Sequence, residues 1–294
     1  MTRYVPGPRC VAAASVLALL TASPALADPS GYVSISGGLD NMSISGGITN
    51  QDIDGSAIQV LASGVYMFTP VLGVQGDVHL TWRSFEFDSA DMDATSLDGA
   101  VHGFYRESDK FLVGGFVQFG GDRLGTDIGN LDFSRNYAGA EGQVYVDSLT
   151  LSGQLGLQQI EIEQSGLGMG MDGWFGSLEA RYFLTPDFRI DGRLGVSSYD
   201  FDLAQTTFTT LSIGVGAEYK LENLPVSLFA SYDLYSTSVD MPASPTFDEH
   251  RLLVGAKFAI GEDSLLDRDR NGASLRSVSA PIQPFALGGG SPPP

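Results

Sequence analysis

Residues Leu178–Val196 read "LEARYFLTPDFRIDGRLGV". Two alternating runs meet at Thr185-Pro186-Asp187, a tripeptide suited to a turn. Every second side chain is apolar: Leu178, Ala180, Tyr182 and Leu184, then Ile190, Gly192, Leu194 and Val196. Between them stand Glu179, Arg181, Arg189, Asp191 and Arg193. A period of two places alternate side chains on opposite faces of a strand. The stretch therefore reads as a β-hairpin with one uncharged face and one ionised face.

Related hairpins recur along the chain. An aromatic stands just before each short turn at Tyr66, Tyr105, Tyr145, Tyr182 and Tyr219, and Phe258 closes the last run. The gaps between them are 39, 40, 37, 37 and 39 residues. A pair of long strands with one tight turn and one loop has about this period. A propeller blade has a similar length but needs four short strands. The alternating runs predict twelve strands, at 31–38, 57–68, 73–85, 96–106, 110–120, 136–147, 149–162, 174–184, 187–199, 208–221, 225–237 and 250–260. Short turns alternate with long connections at 39–56, 86–95, 121–135, 163–173, 200–207 and 238–249, which are rich in aspartate. One end of the strand set thus carries tight turns and the other is expected to carry long acidic loops. Two irregularities stand out. Parity turns Tyr145 toward the ionised face unless a bulge intervenes. The run 149–162 reads as slipping near Gln158–Gln159, after which Ile160 and Ile162 take over the apolar face.

Composition narrows the function. Residues 1–27 have the form of a secretory signal peptide, with basic Arg3 and Arg9, an apolar run Val11–Leu20, and small residues at Ala25-Leu26-Ala27. Cleavage after Ala27 would remove the only cysteine, Cys10, and with it any disulfide framework or thiolate metal site. Without the two signal arginines, 14 basic residues face 35 acidic ones, a net charge of −21. That balance argues against a nucleic-acid partner, which needs clustered Lys and Arg. No later run approaches the ~18 apolar residues of a transmembrane helix, but a membrane β-barrel gives little hydropathy signal.

The ionised face carries Asp77, His79, Arg83, Asp98, His102, Arg106, Lys110, Glu141, Glu179, Arg181, Arg189, Asp191, Arg193, Glu218, Lys220, Asp233, Arg251 and Lys257. The opposite face is uncharged and is bounded by aromatics. Tyr66, Tyr105, Phe111, Tyr182, Tyr219 and Phe258 lie near the tight turns, and Trp82, Phe119 and Trp174 lie at the far rim. Two aromatic girdles around an apolar band are the interfacial pattern of a bilayer-spanning barrel. From Trp174 to Tyr182, strand rise and a tilt of about 40° give roughly 20 Å of height, near the ~25 Å apolar band of such barrels. The many glycines and alanines of the apolar face would make a poor sandwich core, because they bury little area. The expected fold is an all-β, antiparallel, up-and-down transmembrane barrel of about twelve strands over residues 28–260. Residues 261–294, rich in proline and glycine toward their end, read as a disordered periplasmic tail.

With these features the chain resembles the Gram-negative outer-membrane β-barrel (porin-like) proteins: signal peptide, barrel immediately after it, short periplasmic turns, long outer loops, and an aromatic before each turn. Gly255, Phe258 and Ile260 match part of that family's last-strand assembly signal. Val254 stands where a polar residue is usual, and 34 residues follow Ile260. The resemblance implies location in the outer membrane, contact with outer-membrane lipid and lipopolysaccharide, and insertion by the barrel-assembly machinery.

Other motifs carry less. "GLGMGMDGWFG" (Gly166–Gly176) is glycine-rich like a phosphate loop but opens a strand rather than a helix. His79 and His102 lie on neighbouring strands near Asp77 and Asp98, yet a metal needs three or four converging ligands. His250 has outward parity near the far rim, as a lipid hydrolase would require, without an evident serine partner. "DRDRNG" (Asp267–Gly272) opens like a calcium loop, but the position of the closing glutamate is Val278. No catalytic residue, cofactor or metal site is expected. The functional expectation is a passive pore for small solutes or ions, lined by Asp77, His79, Arg83, Asp98, His102, Arg106, Glu141, Glu179, Arg181, Arg189, Asp191, Arg193, Glu218 and Asp233. The alternative is a non-conducting surface barrel that binds partners through its acidic loops. A lipid hydrolase comes third.

Overall fold

A computed structural model describes residues 30–46, 50–87, 90–126, 129–164, 167–201, 206–240 and 245–279. The proposed signal peptide and its cleavage site lie outside them. Twelve antiparallel strands form a closed barrel: β1 (Ser30–Ser45), β2 (Gln51–Met67), β3 (Leu72–Phe87), β4 (Ala90–Glu107), β5 (Phe111–Thr126), β6 (Gly129–Val146), β7 (Leu149–Gln164), β8 (Leu167–Thr185), β9 (Phe188–Phe201), β10 (Thr206–Lys220), β11 (Val226–Val239) and β12 (Thr246–Ile260). Each strand pairs with its neighbours in sequence, and β1 closes on β12 from Gly31↔Ile260 to Ser45↔Thr246. Closure leaves no sheet edge unpaired. The tight turns use residues that accept left-handed backbone: Asp109, Asp147 and Asn223 have φ of 62°, 49° and 59°.

The predicted faces hold within the membrane zone. Leu178, Leu157, Leu155, Phe119 and Ile58 point outward and are exposed, as are the girdle aromatics Trp82, Tyr105, Phe111, Trp174, Tyr182, Tyr219 and Phe258; Tyr66 shares their side at intermediate exposure. Tyr145 is inside, its hydroxyl donating to Gln143 Oε1 at 2.8 Å, and β6 has no bulge against either neighbour. Lys110 is the exception to the ionised-face set. It sits in the exposed turn after β4, paired with Glu107.

The long connections are corrected. Strands run 14 to 19 residues. At ~3.3 Å per residue and a tilt near 40°, that is roughly 35 to 48 Å of height, well beyond the apolar band. Most of the expected loop residues are thus strand, and the barrel projects past the girdle of Trp82, Phe119 and Trp174. In the projecting part the same parity carries the opposite polarity. Asp52, Asp54, Asp93, Arg123, Glu161, Asp172 and Asp200 face out and are exposed. Met42, Ile53, Phe85, Met92, Leu124, Phe133, Ile160, Ile162, Met171, Tyr199, Phe208 and Val239 face in and form one buried apolar cluster, with Phe247 packed against it. The expected slip in β7 does not occur. Its register with β6 and β8 is continuous, and Ile160 and Ile162 are simply inward residues above the membrane. Lipid outside demands apolar-out; water outside demands apolar-in. One uninterrupted strand satisfies both by exchanging residue types at the girdle.

The segment after β12 is also corrected. Residues 264–279 fold back into the barrel instead of leaving it as a periplasmic tail. Helix α1 (Leu265–Asn271) is capped by Ser264, whose hydroxyl accepts from Asp267 N at 3.0 Å, and ends where Gly272 N donates to Arg268 O at 3.0 Å. Leu265 is buried, and residues 273–275 are buried beyond it. Residues 280–294 lie outside the described residues.

Candidate functional site: a lumen occupied by the chain's own C-terminal segment

Every candidate lumenal residue faces the interior, but the charges are paired rather than lining an open path. His102 lies between Glu141 (Nδ1 to Oε1, 2.8 Å) and Asp77 (Nε2 to Oδ2, 3.2 Å) and stacks on Phe116. Arg189 reaches Glu218 at 3.0 Å, and Arg193 reaches Asp233 at 2.9 Å. Arg83 and Arg251 both approach Asp40, at 3.4 and 3.3 Å. Arg135 donates to Asp98 and Asp122 at 3.1 Å. Asp40, Asp122 and Arg135 fell in the expected loops and so were missed. Their signal is parity: each continues the inward face of its strand past the girdle.

The expected pore-lining set also meets partners from the C-terminal segment. Arg181 bridges Glu179 on its own strand and Asp269 of α1, the latter at 2.7 Å. Thr150 donates to the same Asp269. Arg268 donates to Glu218 at 2.6 Å, and Arg270 lies over the ring of Tyr145 at 4.3 Å. Arg106 donates to Gly272 O at 2.9 Å and to Ser274 Oγ at 3.0 Å. Arg276 reaches Glu179 and Asp191 at 2.9 and 3.1 Å. A buried ion has to be paired, because desolvation costs several kcal/mol per charge. Here part of the pairing is supplied by residues 268–276, so the lumen is electrostatically complete only with that segment in place.

The oxygens of "DRDRNG" are engaged in this docking instead of converging on a cation. Asp269 holds Arg181 and Thr150, while Asp267 binds the helix end through Asn271. "GLGMGMDGWFG" is the first part of β8 rather than a loop; its first residue, Gly166, lies outside the described residues. His250 is exposed on the outer face and shares a 2.7 Å hydrogen bond with Tyr232.

Residues 274–278 run along the walls of β3, β5, β6 and β7, where side-chain amides hold their main chain. Opposite them remains a cavity of about 350 Å³, lined by Ser34, Gln59, His79, Ser197, Ser212 and Asp233 among others. Above it the apolar cluster draws side chains from all twelve strands. At the turn end, Glu262 sits half-buried beside α1, with neither carboxyl oxygen hydrogen-bonded. Burial raises its pKa to about 7 against the pull of Arg268 and Arg106.

A closed antiparallel barrel with two aromatic girdles is one mark of a class; sequence and structure comparisons supply the other. The outer membrane protein beta-barrel domain matches residues 12–147. The match takes in β1 to β6 and spans 136 of the 294 residues. An outer-membrane β-barrel domain implies a place in the outer membrane of a Gram-negative bacterium. No curated protein matches it. Among solved structures it is similar in fold to an outer membrane channel from Pseudomonas putida F1, at 14% identity and a TM-score of 0.55, covering 81% of this chain and 97% of that one. It is also similar to the translocator domain of the autotransporter NalP from Neisseria meningitidis, at 13% identity and a TM-score of 0.53, covering 83% and 92%. At these identities the likeness is one of fold.

Proposed function

We propose that this barrel is sealed in its resting state and acts at the cell surface without a chemical step. One observation carries the reading: the apolar cluster above the girdle takes a side chain from each strand, with Phe85, Ile53, Phe133 and Ile160 at most 1% exposed. A constriction of that kind excludes water and ions. The docked C-terminal segment reinforces the seal from the other side. What the barrel offers its surroundings is then its projecting wall, which bears Asp52, Asp54, Asp93, Asp172 and Asp200 outward. Lipid and lipopolysaccharide are its neighbours at the girdle, and the barrel-insertion machinery is its partner during assembly.

Passage of small solutes or ions is the second reading, supported by the cavity beside the C-terminal segment. Conduction would need both the segment and the apolar cluster to move. Reconstitution of the full mature chain in a planar bilayer tests the choice. The sealed barrel gives no discrete current steps at high protein load; regular steps in the unmodified chain would overturn it.

A further inference from the structure

We infer that the lumen contains a built binding site for an extended polypeptide segment, occupied in the resting protein by the chain's own residues 274–278. Four glutamines on four different strands read the main chain of that segment. Gln143 Nε2 donates to Ser274 O at 3.2 Å and Gln154 Nε2 to Arg276 O at 2.7 Å. Gln75 does more: its Nε2 donates to Leu275 O at 2.9 Å while its Oε1 accepts from Leu275 N at 3.1 Å. Gln118 repeats this with Val278, donating to the carbonyl at 3.0 Å and accepting from the amide at 2.7 Å. A side-chain amide that binds both N–H and C=O of one residue does what a neighbouring β-strand does. Gln75 and Gln118 are no more than 1% exposed, and the residues they bind, Leu275 and Val278, stand three apart along the segment.

A plug needs only to fill space. Recognition of main-chain groups by buried amides is a different device, because it depends little on the sequence bound. Side-chain preference is added at four places. Leu275 enters an apolar pocket with Phe104, Leu112 and Tyr145, Arg276 meets Glu179 and Asp191, and Ser277 donates to Asp77 Oδ2 at 3.0 Å. Val278 then packs on an aromatic group of Phe116, Tyr137 and Phe175. The ligand class is therefore an extended peptide with the order apolar, basic, small polar, apolar. The chain's own "LRSV" (Leu275–Val278) is the resident example, and any unfolded segment of that order fits the same groove.

The test begins with the intact chain carrying a protease site inserted after the exposed Gly261, cut in detergent after folding. The released segment should stay bound, and a fluorescent synthetic peptide of residues 264–279 should exchange into the lumen and saturate. The same peptide N-methylated at the positions of Leu275 and Val278 keeps every side chain but loses the two amide donors. It should bind at least about tenfold more weakly, since each removed bond leaves a buried glutamine oxygen unpaired. The barrel variant Gln75→Leu/Gln118→Leu should show a similar loss toward the unmethylated peptide, with folding checked by its heat-dependent shift on a gel. An Arg276→Asp peptide should also fail to compete. Unchanged binding of the N-methylated peptide, or equal binding of a scrambled one, would overturn the proposal whatever the barrel variant does.

Discussion

Arg181 on β8 and Asp269 on α1 lie 88 residues apart in sequence and 2.7 Å apart in space, each almost wholly buried. Neither charge has solvent to fall back on. Arg181 also holds Glu179, so the pair is the centre of a network that joins the barrel wall to the returning segment. Truncating Arg181→Leu leaves Asp269 in the interior without a cation, while Glu179 keeps only Arg276, and removing one member of such a pair costs about 3–5 kcal/mol. The expected result is release of residues 264–279 with the barrel intact. A single cysteine placed by Ser277→Cys reads this cleanly, because Cys10 is the one other cysteine in the sequence and can be replaced by serine. It should resist maleimide in the parent and react readily in Arg181→Leu.

The docking of α1 should weaken as pH rises. The folded-state pKa of Glu262 is raised by burial to about 7, above the ordinary value of 4.5 in the undocked chain. Between those values the docked form holds the extra proton, so rising pH favours undocking. The contribution of Glu262 is fully present below about pH 4.5 and is lost as pH passes through about 7. Reactivity of the same Ser277→Cys thiol, corrected for thiolate fraction, should increase from pH 5 to pH 8. Glu262→Gln should flatten that increase; a persistent slope in Glu262→Gln would assign it to another group.

The apolar cluster should behave as a protein core although it belongs to a membrane barrel. Phe85 and Phe133 are at most 1% exposed and lie among Ile53, Leu124, Ile160 and Met171. Phe→Ala at such a site costs about 3–5 kcal/mol. Phe85→Ala/Phe133→Ala should therefore expose the projecting hairpins to protease added outside intact cells, while the membrane-embedded part stays resistant. Equal protection of parent and variant would mean that the cluster does not hold the outer wall together.

The barrel and its two faces were legible from the hairpin Leu178–Val196, because a period of two within an apolar band leaves few alternatives. The projecting wall was not. Ile160 and Ile162 sit on the parity opposite to Leu155 and Leu157, which reads as a slipped register when a single solvent is assumed around the strand. The returning segment was hidden for another reason. Its composition is that of a tail, and the residues that hold its main chain are uncharged glutamines, indistinguishable in sequence from any polar lumenal position.

The change of polarity along β7 yields the sharpest comparison. Leu155 and Glu161 share one outward face, separated by three strand repeats; Leu155 is 64% exposed within the apolar band, and Glu161 is exposed beyond it. Arginine facing lipid costs about 2–4 kcal/mol at the bilayer midplane and falls toward nothing at the rim, so Leu155, two residues inside the Trp174 girdle, carries part of that cost and Glu161 carries none. Leu155→Arg should lower the unfolding midpoint of the liposome-embedded protein, whereas Glu161→Arg on the same face should leave it unchanged within error. Both variants add positive charge, so a general electrostatic effect would move them together. If Glu161→Arg destabilises as much as Leu155→Arg, lipid must cover the wall at both positions, and the water-facing extension above Trp174 is wrong.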